Sequence, residues 1–372
     1  MKFKIGADLL YKRLCTLSKA INPKATLPIL SNFHFEVEGG VLNIKASSFE
    51  LQMKTTITLD APSEDGTMLV MSSLMLNTLK TLCGETIEIM SDEGLGKGCI
   101  RSKNGTFDFT YDHTDEFPLM IQLSDDAKTL SIHPDVLSNG VSMALPFACT
   151  DELRPTMCSV NMRMKDMRVT FTATDVHNIL RASSNVDALT DAEILLPRWL
   201  CNVIPSVVGG ASGLVRMSFD DKRVRILTDE YEVVTSLVEG RYPNCDAVIP
   251  NYDKKCVVDS AELRSLLARA INFTNSFTTL LKAKFSGGRL TLVGEDYDFG
   301  KKSDEYITYK GDTEDLTLGI SGKVLYSVLS TLKSKTLFIS YTEAHRPIII
   351  EPTEPLNGMT VLSMMMPMKL DD

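Results

Sequence analysis

The sequence holds one tryptophan and five histidines among 372 residues, and its eight cysteines never fall into a C-x-x-C spacing. Zinc fingers and thioredoxin-type sites are thereby excluded, since both need paired ligands or thiols at short spacing. Scattered cysteines fit a reducing, cytoplasmic setting, where most serve as small buried hydrophobes. No run reaches the roughly 18 apolar residues of a membrane helix. The opening Met1-Lys2-Phe3-Lys4-Ile5 predicts a strand and lacks the apolar region of a signal peptide. Positive charge is also short: 39 Lys and Arg face 48 Asp and Glu, a net −9. By that total, a basic nucleic-acid-binding domain is excluded.

Catalytic signatures are missing as well. Gly94-Leu95-Gly96-Lys97-Gly98 lacks the spacing of a phosphate loop and predicts a hairpin turn. Glu295-Asp296-Tyr297-Asp298 fails the EF-hand pattern and predicts a solvated loop. No Ser-His-Asp or Cys-His nucleophile can be assembled. Asp175 and His177, two apart on a strand, share a face and are the one candidate metal or acid–base pair, the basis of a metal-hydrolase alternative. The expectation is a non-enzyme without cofactor or metal.

What is present is a threefold repeat. The form of residues 3–10 recurs at 130–137 and at 257–264, 127 residues apart each time. Asp8, Asp135 and Glu262 take the same slot, an acid in the first helical turn, where the helix dipole favours it. Ala46-Ser47 and Ala173-Thr174 keep the interval, and Phe117-Pro118, Tyr242-Pro243 and Met366-Pro367 mark the unit ends. Units of this size bury their own cores and are domains, bounded at 1–126, 127–253 and 254–372. Within each, a short strand leading into a helix occurs twice, separated by alternating runs such as 33–37 and 41–45 around Gly39-Gly40. The fold class is therefore α+β: three repeated domains, each with two helices on antiparallel sheets. The helices are predicted near 8–20, 72–83, 134–145, 197–208, 261–271 and 322–333, with Pro205 kinking or ending the fourth. Trp199 in that helix predicts core or interface packing.

Charge divides by element. The predicted helices carry nine cations (Lys12, Arg13, Lys19, Lys80, Arg198, Arg264, Arg269, Lys323 and Lys333) against three acids, a sum of +6. The remaining chain then holds −15 of the total −9. Helices gathered on one surface would make it positive and attract phosphates without sequence choice, while negative strands repel nucleic acid elsewhere.

These residues resemble the bacterial beta sliding clamp family, the beta subunits of DNA polymerase III, over the whole length. The resemblance is carried by Met1-Lys2-Phe3, Thr26-Leu27-Pro28-Ile29-Leu30-Ser31-Asn32, Ala173-Thr174-Asp175-Val176-His177, Leu196-Pro197-Arg198, Gly240-Arg241-Tyr242-Pro243 and Met366-Pro367-Met368-Lys369-Leu370. It implies three clamp domains forming half of a closed ring. A head-to-tail homodimer would surround double-stranded DNA with twelve helices and tether a polymerase subunit and other peptide-bearing proteins. An ATP-dependent clamp loader would open the ring. A ring scaffold that docks proteins without encircling DNA is the alternative within the same fold.

For the partner-peptide cleft the resemblance implies Arg154, Met157, Thr174, His177, Ile179, Pro243, Val248, Pro347, Met364, Met366 and Met368, where flexible methionines suit varied Leu- and Phe-bearing peptides. For DNA it implies Lys24 and Arg198; Lys12, Arg13, Lys80, Arg264 and Arg269 are added from the charge division. For the dimer seam it implies Phe107 and Phe109 on one side and Ile271 and Phe273 on the other, and an edge strand at 106–111 needs such covering. The chain departs from the family in three places. Val176 replaces the glycine common before His177, and Asn178-Ile179 replaces Arg-Leu after it. Ser72-Ser73 stands where an arginine is common, and the chain continues past Leu370 as Asp371-Asp372.

Overall fold

The structure, a computed structural model, describes residues 1–22, 27–92, 94–111, 116–186, 191–311 and 314–370. Lys24, Asp371 and Asp372 lie outside the described residues. The six helices are α1 (Ala7–Leu17), α2 (Ser72–Thr81), α3 (Pro134–Ala144), α4 (Arg198–Val208), α5 (Ser260–Ala270) and α6 (Gly322–Thr331). All match the sequence expectation to within a few residues, because each begins where an alternating strand gives way to apolar residues at helical spacing. In α1, Leu10, Leu14 and Leu17 form one fully buried stripe. Each such leucine contributes about 2 kcal/mol of burial. Caps fix two starts: Asp259 accepts the Ala261 and Glu262 N–H groups at 2.9 Å, and Ser321 accepts that of Val324 at 3.4 Å. Pro205 does not end α4, which runs through it to Val208. It stands in the last turn, so only one ladder bond is lost before Gly209 bonds back to its carbonyl at 3.1 Å.

The chain forms two compact units, residues 1–135 with 202–237, and residues 136–201 with 238–372. The first contains a four-stranded sheet in the order Lys2–Gly6, Thr86–Asp92, Lys97–Arg101, Thr106–Thr110. It also contains an eight-stranded sheet: Gly66–Met71, Asn32–Glu38, Val41–Ser47, Leu51–Thr58, Tyr231–Ser236, Arg223–Leu227, Val215–Phe219, Lys128–Ile132. All pairings are antiparallel, and Thr55 sits opposite Tyr231 where the first repeat meets the second. The turn at Gly39-Gly40 has φ of 55° and 80°, a left-handed pair that two glycines supply without a Cβ clash. The glycine-rich segment 94–98 likewise ends a hairpin, with Asp92 paired to Lys97.

The second unit repeats the plan. Its long sheet runs Ala192–Pro197, Ser159–Lys165, Arg168–Thr174, Asn178–Asn185, Thr360–Met365, Ile348–Pro352, Thr336–Ser340, Cys256–Asp259, with the two-residue Lys310–Gly311 at the end. Its four-stranded sheet is Lys301–Thr308, Arg289–Asp296, Leu280–Ser286, Leu316–Ser321. Helix α3 sits on its sheet at Gly140, where a Cβ would come within 2.2 Å of the Phe171 ring. One further expectation needs correcting: Asp296 is buried rather than solvated. Trp199 is 38% exposed, so of its two readings, core or interface, the core one falls. Of the eight free cysteines, four are buried, three intermediate and Cys83 exposed.

Candidate functional site

All eleven cleft residues fall in the second unit, and they sort into a floor and a rim. Antiparallel register places Ile179, Met364 and Ile349 side by side across three strands. With Leu195, Tyr242, Cys245 and Leu362 they make a buried apolar cluster, against which Val238, Ile249 and Tyr252 pack. Ile179, Met364 and Thr174 therefore belong to the floor, each no more than 3% exposed. Met157, Pro347, Met366 and Met368 are intermediate, and Arg154, His177, Pro243 and Val248 are exposed.

The segment after Val238 is tied to this floor by two tyrosines. The Thr174 N–H donates to the Tyr242 oxygen at 3.1 Å, and the Tyr252 hydroxyl donates to the Pro347 carbonyl at 2.8 Å. Burial pushes the Tyr242 hydroxyl well above its usual range and the Cys245 thiol up to about 11, so both stay neutral. Next to Cys245, Asp246 receives Arg163 at 2.6 Å and Arg181 at 2.9 Å. The last described segment is fixed by backbone bonds: the Met366 N–H donates to the His177 carbonyl at 3.1 Å, and that of Met368 to Gly319 at 2.8 Å. Leu195, Tyr242, Cys245, Ile349 and Leu362 are the floor residues that the sequence reading left out. The Tyr242-Pro243 landmark was a signal for the first of the tyrosines.

The Asp175–His177 pair is not favoured as a metal or acid–base site. The Asp175 carboxylate accepts the His177 N–H at 3.0 Å, the Asn178 N–H at 2.7 Å and the Asn178 side-chain amide at 2.9 Å. It is consumed in holding its own turn. No group of three or more His, Cys, Asp or Glu among the described residues is placed to share a metal. Inside that turn Val176 has φ of 87° and is 47% exposed, a left-handed conformation that a β-branched residue rarely adopts.

The helix cations are less uniform than their sequence positions imply. Lys12 and Lys80 are exposed. Arg13 is a correction: it is 9% exposed, pairs with Glu230 at 2.8 Å and lies over the Tyr231 ring at 5.1 Å. It stands where the first repeat meets the second and is spent on that contact. Arg198 donates to the carbonyls of Ala148 and Cys149 at 2.9 and 3.1 Å, and Arg264 donates to the Leu329 carbonyl. Arg269 grips Glu305 through two nitrogens, the closest at 2.7 Å. This pairing raises the arginine above its usual range and holds the carboxyl below its own. The six helices as observed carry seven cations against three acids, because Lys19 and Lys333 fall just beyond helix ends.

Of the seam residues, Phe107 is 42% exposed and Phe109 intermediate on Thr106–Thr110, the outermost strand of its sheet. Ile271 is intermediate and Phe273 39% exposed in the turn after α5. No helix among the described residues is long and apolar enough to cross a membrane.

The chain thus combines three repeated α+β domains with a buried apolar floor beside half-buried methionines. The family models of the DNA polymerase III beta subunit match in order: its N-terminal domain at residues 1–121, its central domain at 132–244 and its C-terminal domain at 246–369. The chain belongs to the DNA polymerase III beta subunit family. The beta sliding clamp of Staphylococcus aureus is 23% identical over 363 residues, covering 95% of this chain and 96% of that one. The fold is shared, over 100% of both chains, with the beta subunit from Thermotoga maritima at TM-score 0.91 and 22% identity. It is shared equally with a sliding clamp from Pseudomonas aeruginosa bound to griselimycin, at TM-score 0.93 and 20% identity. A chain of this family is a DNA sliding clamp, an accessory subunit of a polymerase and not itself an enzyme.

Proposed function

We infer that two copies of this chain join head to tail as a cytoplasmic ring that encloses duplex DNA and tethers a polymerase by its peptide. The observation that carries the closure is the sheet count. Each unit pairs one long sheet, built from two repeats, with one four-stranded sheet that has an outer strand paired on one side only among the described residues: Thr106–Thr110 in one unit, Lys301–Thr308 in the other. Joining those edges between copies would complete the pattern of the long sheets and cover both, with Phe107, Phe109, Ile271 and Phe273 at the seam. The same reading sets domain boundaries at 126/127 and 253/254, just before the strands Lys128–Ile132 and Cys256–Asp259.

A closed ring holds DNA by topology, so weak phosphate contact suffices and allows sliding. Lys12 and Lys80 are the best placed for it, being exposed; Arg198, Arg264 and Arg269 would contribute after exchanging their present partners, and Lys24 is retained from the family resemblance. Tethering raises the polymerase's effective concentration at the primer without new chemistry. An ATP-using loader is required because the chain carries no nucleotide motif. The cleft residues, with their apolar floor, would take the Leu- and Phe-bearing peptides of polymerase and repair partners.

The test is retention on nicked circular DNA after loading with ATP and a clamp loader. Release is expected once the circle is cut, and equal behaviour of linear and circular DNA would refute encirclement. Griselimycin, bound by the Pseudomonas aeruginosa relative, is expected to bind here, and competition with a Leu-Phe peptide would test whether the cleft receives both.

A further inference from the structure

We propose that Cys149 and Cys158 are a reversible disulfide pair that locks the loop carrying Arg154 and Met157, and so regulates the cleft; the regulatory half rests on the cleft reading above. The two cysteines bracket one loop whose ends are already paired, since the Cys149 N–H donates to the Met157 carbonyl at 2.9 Å. Both sulfurs converge on Asp151. Its N–H donates to the Cys149 sulfur at 3.4 Å, and the Cys158 thiol donates to its carbonyl at 3.2 Å. Cys149 also stands close enough to Cys158 to raise its thiol. Two sulfurs held against the backbone of one residue share a neighbourhood, and a bond between them would close a loop whose ends are already hydrogen-bonded.

The surroundings suit a switch rather than a structural bond. Cys149 is buried, whereas Cys158 is partly accessible and meets an oxidant first. Burial raises the Cys158 thiol, as does its proximity to Cys149, while the Arg198 guanidinium opposes this. A raised thiol reacts slowly, so the pair stays reduced in a reducing compartment until oxidant accumulates.

The chemistry balances with a hydroperoxide as the oxidant. The Cys158 sulfur, as thiolate, attacks one peroxide oxygen; the O–O bond breaks and the leaving hydroxide takes a proton as water. The Cys149 sulfur then attacks the resulting sulfenic sulfur, forming S–S and breaking S–O, and a second water leaves. Two electrons pass from the thiols to the peroxide, and a dithiol reductant returns them.

Bonding costs the Cys158 thiol its hydrogen bond to Asp151, the residue whose carbonyl also receives the Arg154 N–H at 3.0 Å. Arg154 and Met157 move with that turn, because the Met157 and Cys158 N–H groups both donate to the Arg154 carbonyl, at 3.0 and 3.2 Å. Arg198, bonded to the carbonyls of Ala148 and Cys149, anchors the near end of the loop.

The test treats the full-length protein with hydrogen peroxide and maps thiols by mass spectrometry. In parallel it measures affinity for a fluorescein-labelled peptide ending in Leu-Phe. A Cys149–Cys158 linkage reversed by dithiothreitol is expected, with peptide binding weakened about five-fold or more on oxidation. Cys158→Ser, and independently Cys158→Ala, should abolish both changes while binding peptide like the reduced parent. Absence of the linkage, or its formation between other cysteines, overturns the proposal. Linkage without any change in peptide affinity overturns the regulatory half. Failure of the reduced parent to bind peptide would instead strike the cleft reading and leave the linkage standing.

Discussion

The Met366 N–H donates to the His177 carbonyl at 3.1 Å, so the turn after Thr174 and the end of the last strand are one structure. Two residues on, Met368 bonds to Gly319, where a Cβ would lie 2.3 Å from the Met368 carbonyl oxygen. The methionine rim is thus held by its backbone while its side chains stay adaptable. Deleting residues 366–372 is expected to abolish Leu-Phe peptide binding in fluorescence anisotropy and leave the dimer intact by light scattering. Unchanged affinity would remove the rim from the binding site.

Val176 stores strain in that same turn. Its φ of 87° is natural for glycine and unfavourable for a β-branched residue. Val176→Gly should stabilise the protein by about 1 kcal/mol in urea unfolding, the relieved strain exceeding glycine's added unfolded-state entropy. A loss of stability would show that the valine side chain contributes contacts that outweigh the strain.

Neighbouring cations on α1 should behave oppositely. Lys12→Ala leaves stability unchanged within about 0.5 kcal/mol, since Lys12 is an exposed side chain. Arg13→Ala costs about 2 kcal/mol, because Glu230 loses its partner at 2.8 Å and Tyr231 its covering guanidinium. On loaded DNA the order reverses, with Lys12→Ala together with Lys80→Ala shortening retention at raised salt. Equal stability losses in the two single variants would refute the division.

Much of this arrangement was legible in the sequence, and the parts that were not share a cause. Helices and hairpins follow from local periodicity, so α1 to α6 and the Gly39-Gly40 turn were readable. The fates of Arg13, Arg198, Arg264 and Arg269 depend on Glu230, Ala148, Leu329 and Glu305, partners up to 217 residues away. Local charge cannot reveal them. The join of Leu51–Thr58 to Tyr231–Ser236 was hidden for the same reason, whereas the cleft positions came from the family resemblance and not from periodicity. Val176 shows the converse limit: its departure was visible, but its left-handed backbone was not.

Acid should loosen the strap beside the floor. Burial alone would raise Asp246, but the hydrogen bonds and charges of Arg163 and Arg181 outweigh it and hold the carboxyl below its ordinary 3.8. A depressed folded-state value means the contribution is present above the unfolded value and is lost as pH falls through the folded one. Urea midpoints should therefore drop below about pH 4, and Asp246→Asn should flatten that part of the profile while lowering stability at neutral pH. An identical acid limb in the variant would assign the loss to other carboxylates.

Phe107→Asp places a charge on the open edge of Thr106–Thr110. Light scattering should then report the 41.2 kDa chain rather than twice that mass. A dimer of unchanged affinity would move the seam elsewhere.

Those open edges also bear on the life of a newly made chain. Thr106–Thr110 and Lys301–Thr308 each offer a row of backbone groups with no strand beside them among the described residues, and the first carries the exposed Phe107. Such a strand is a template for any extended polypeptide it meets. A copy that has not found its mate is thus at risk of aggregation, and its supply in the cell must be matched to the pace at which copies meet.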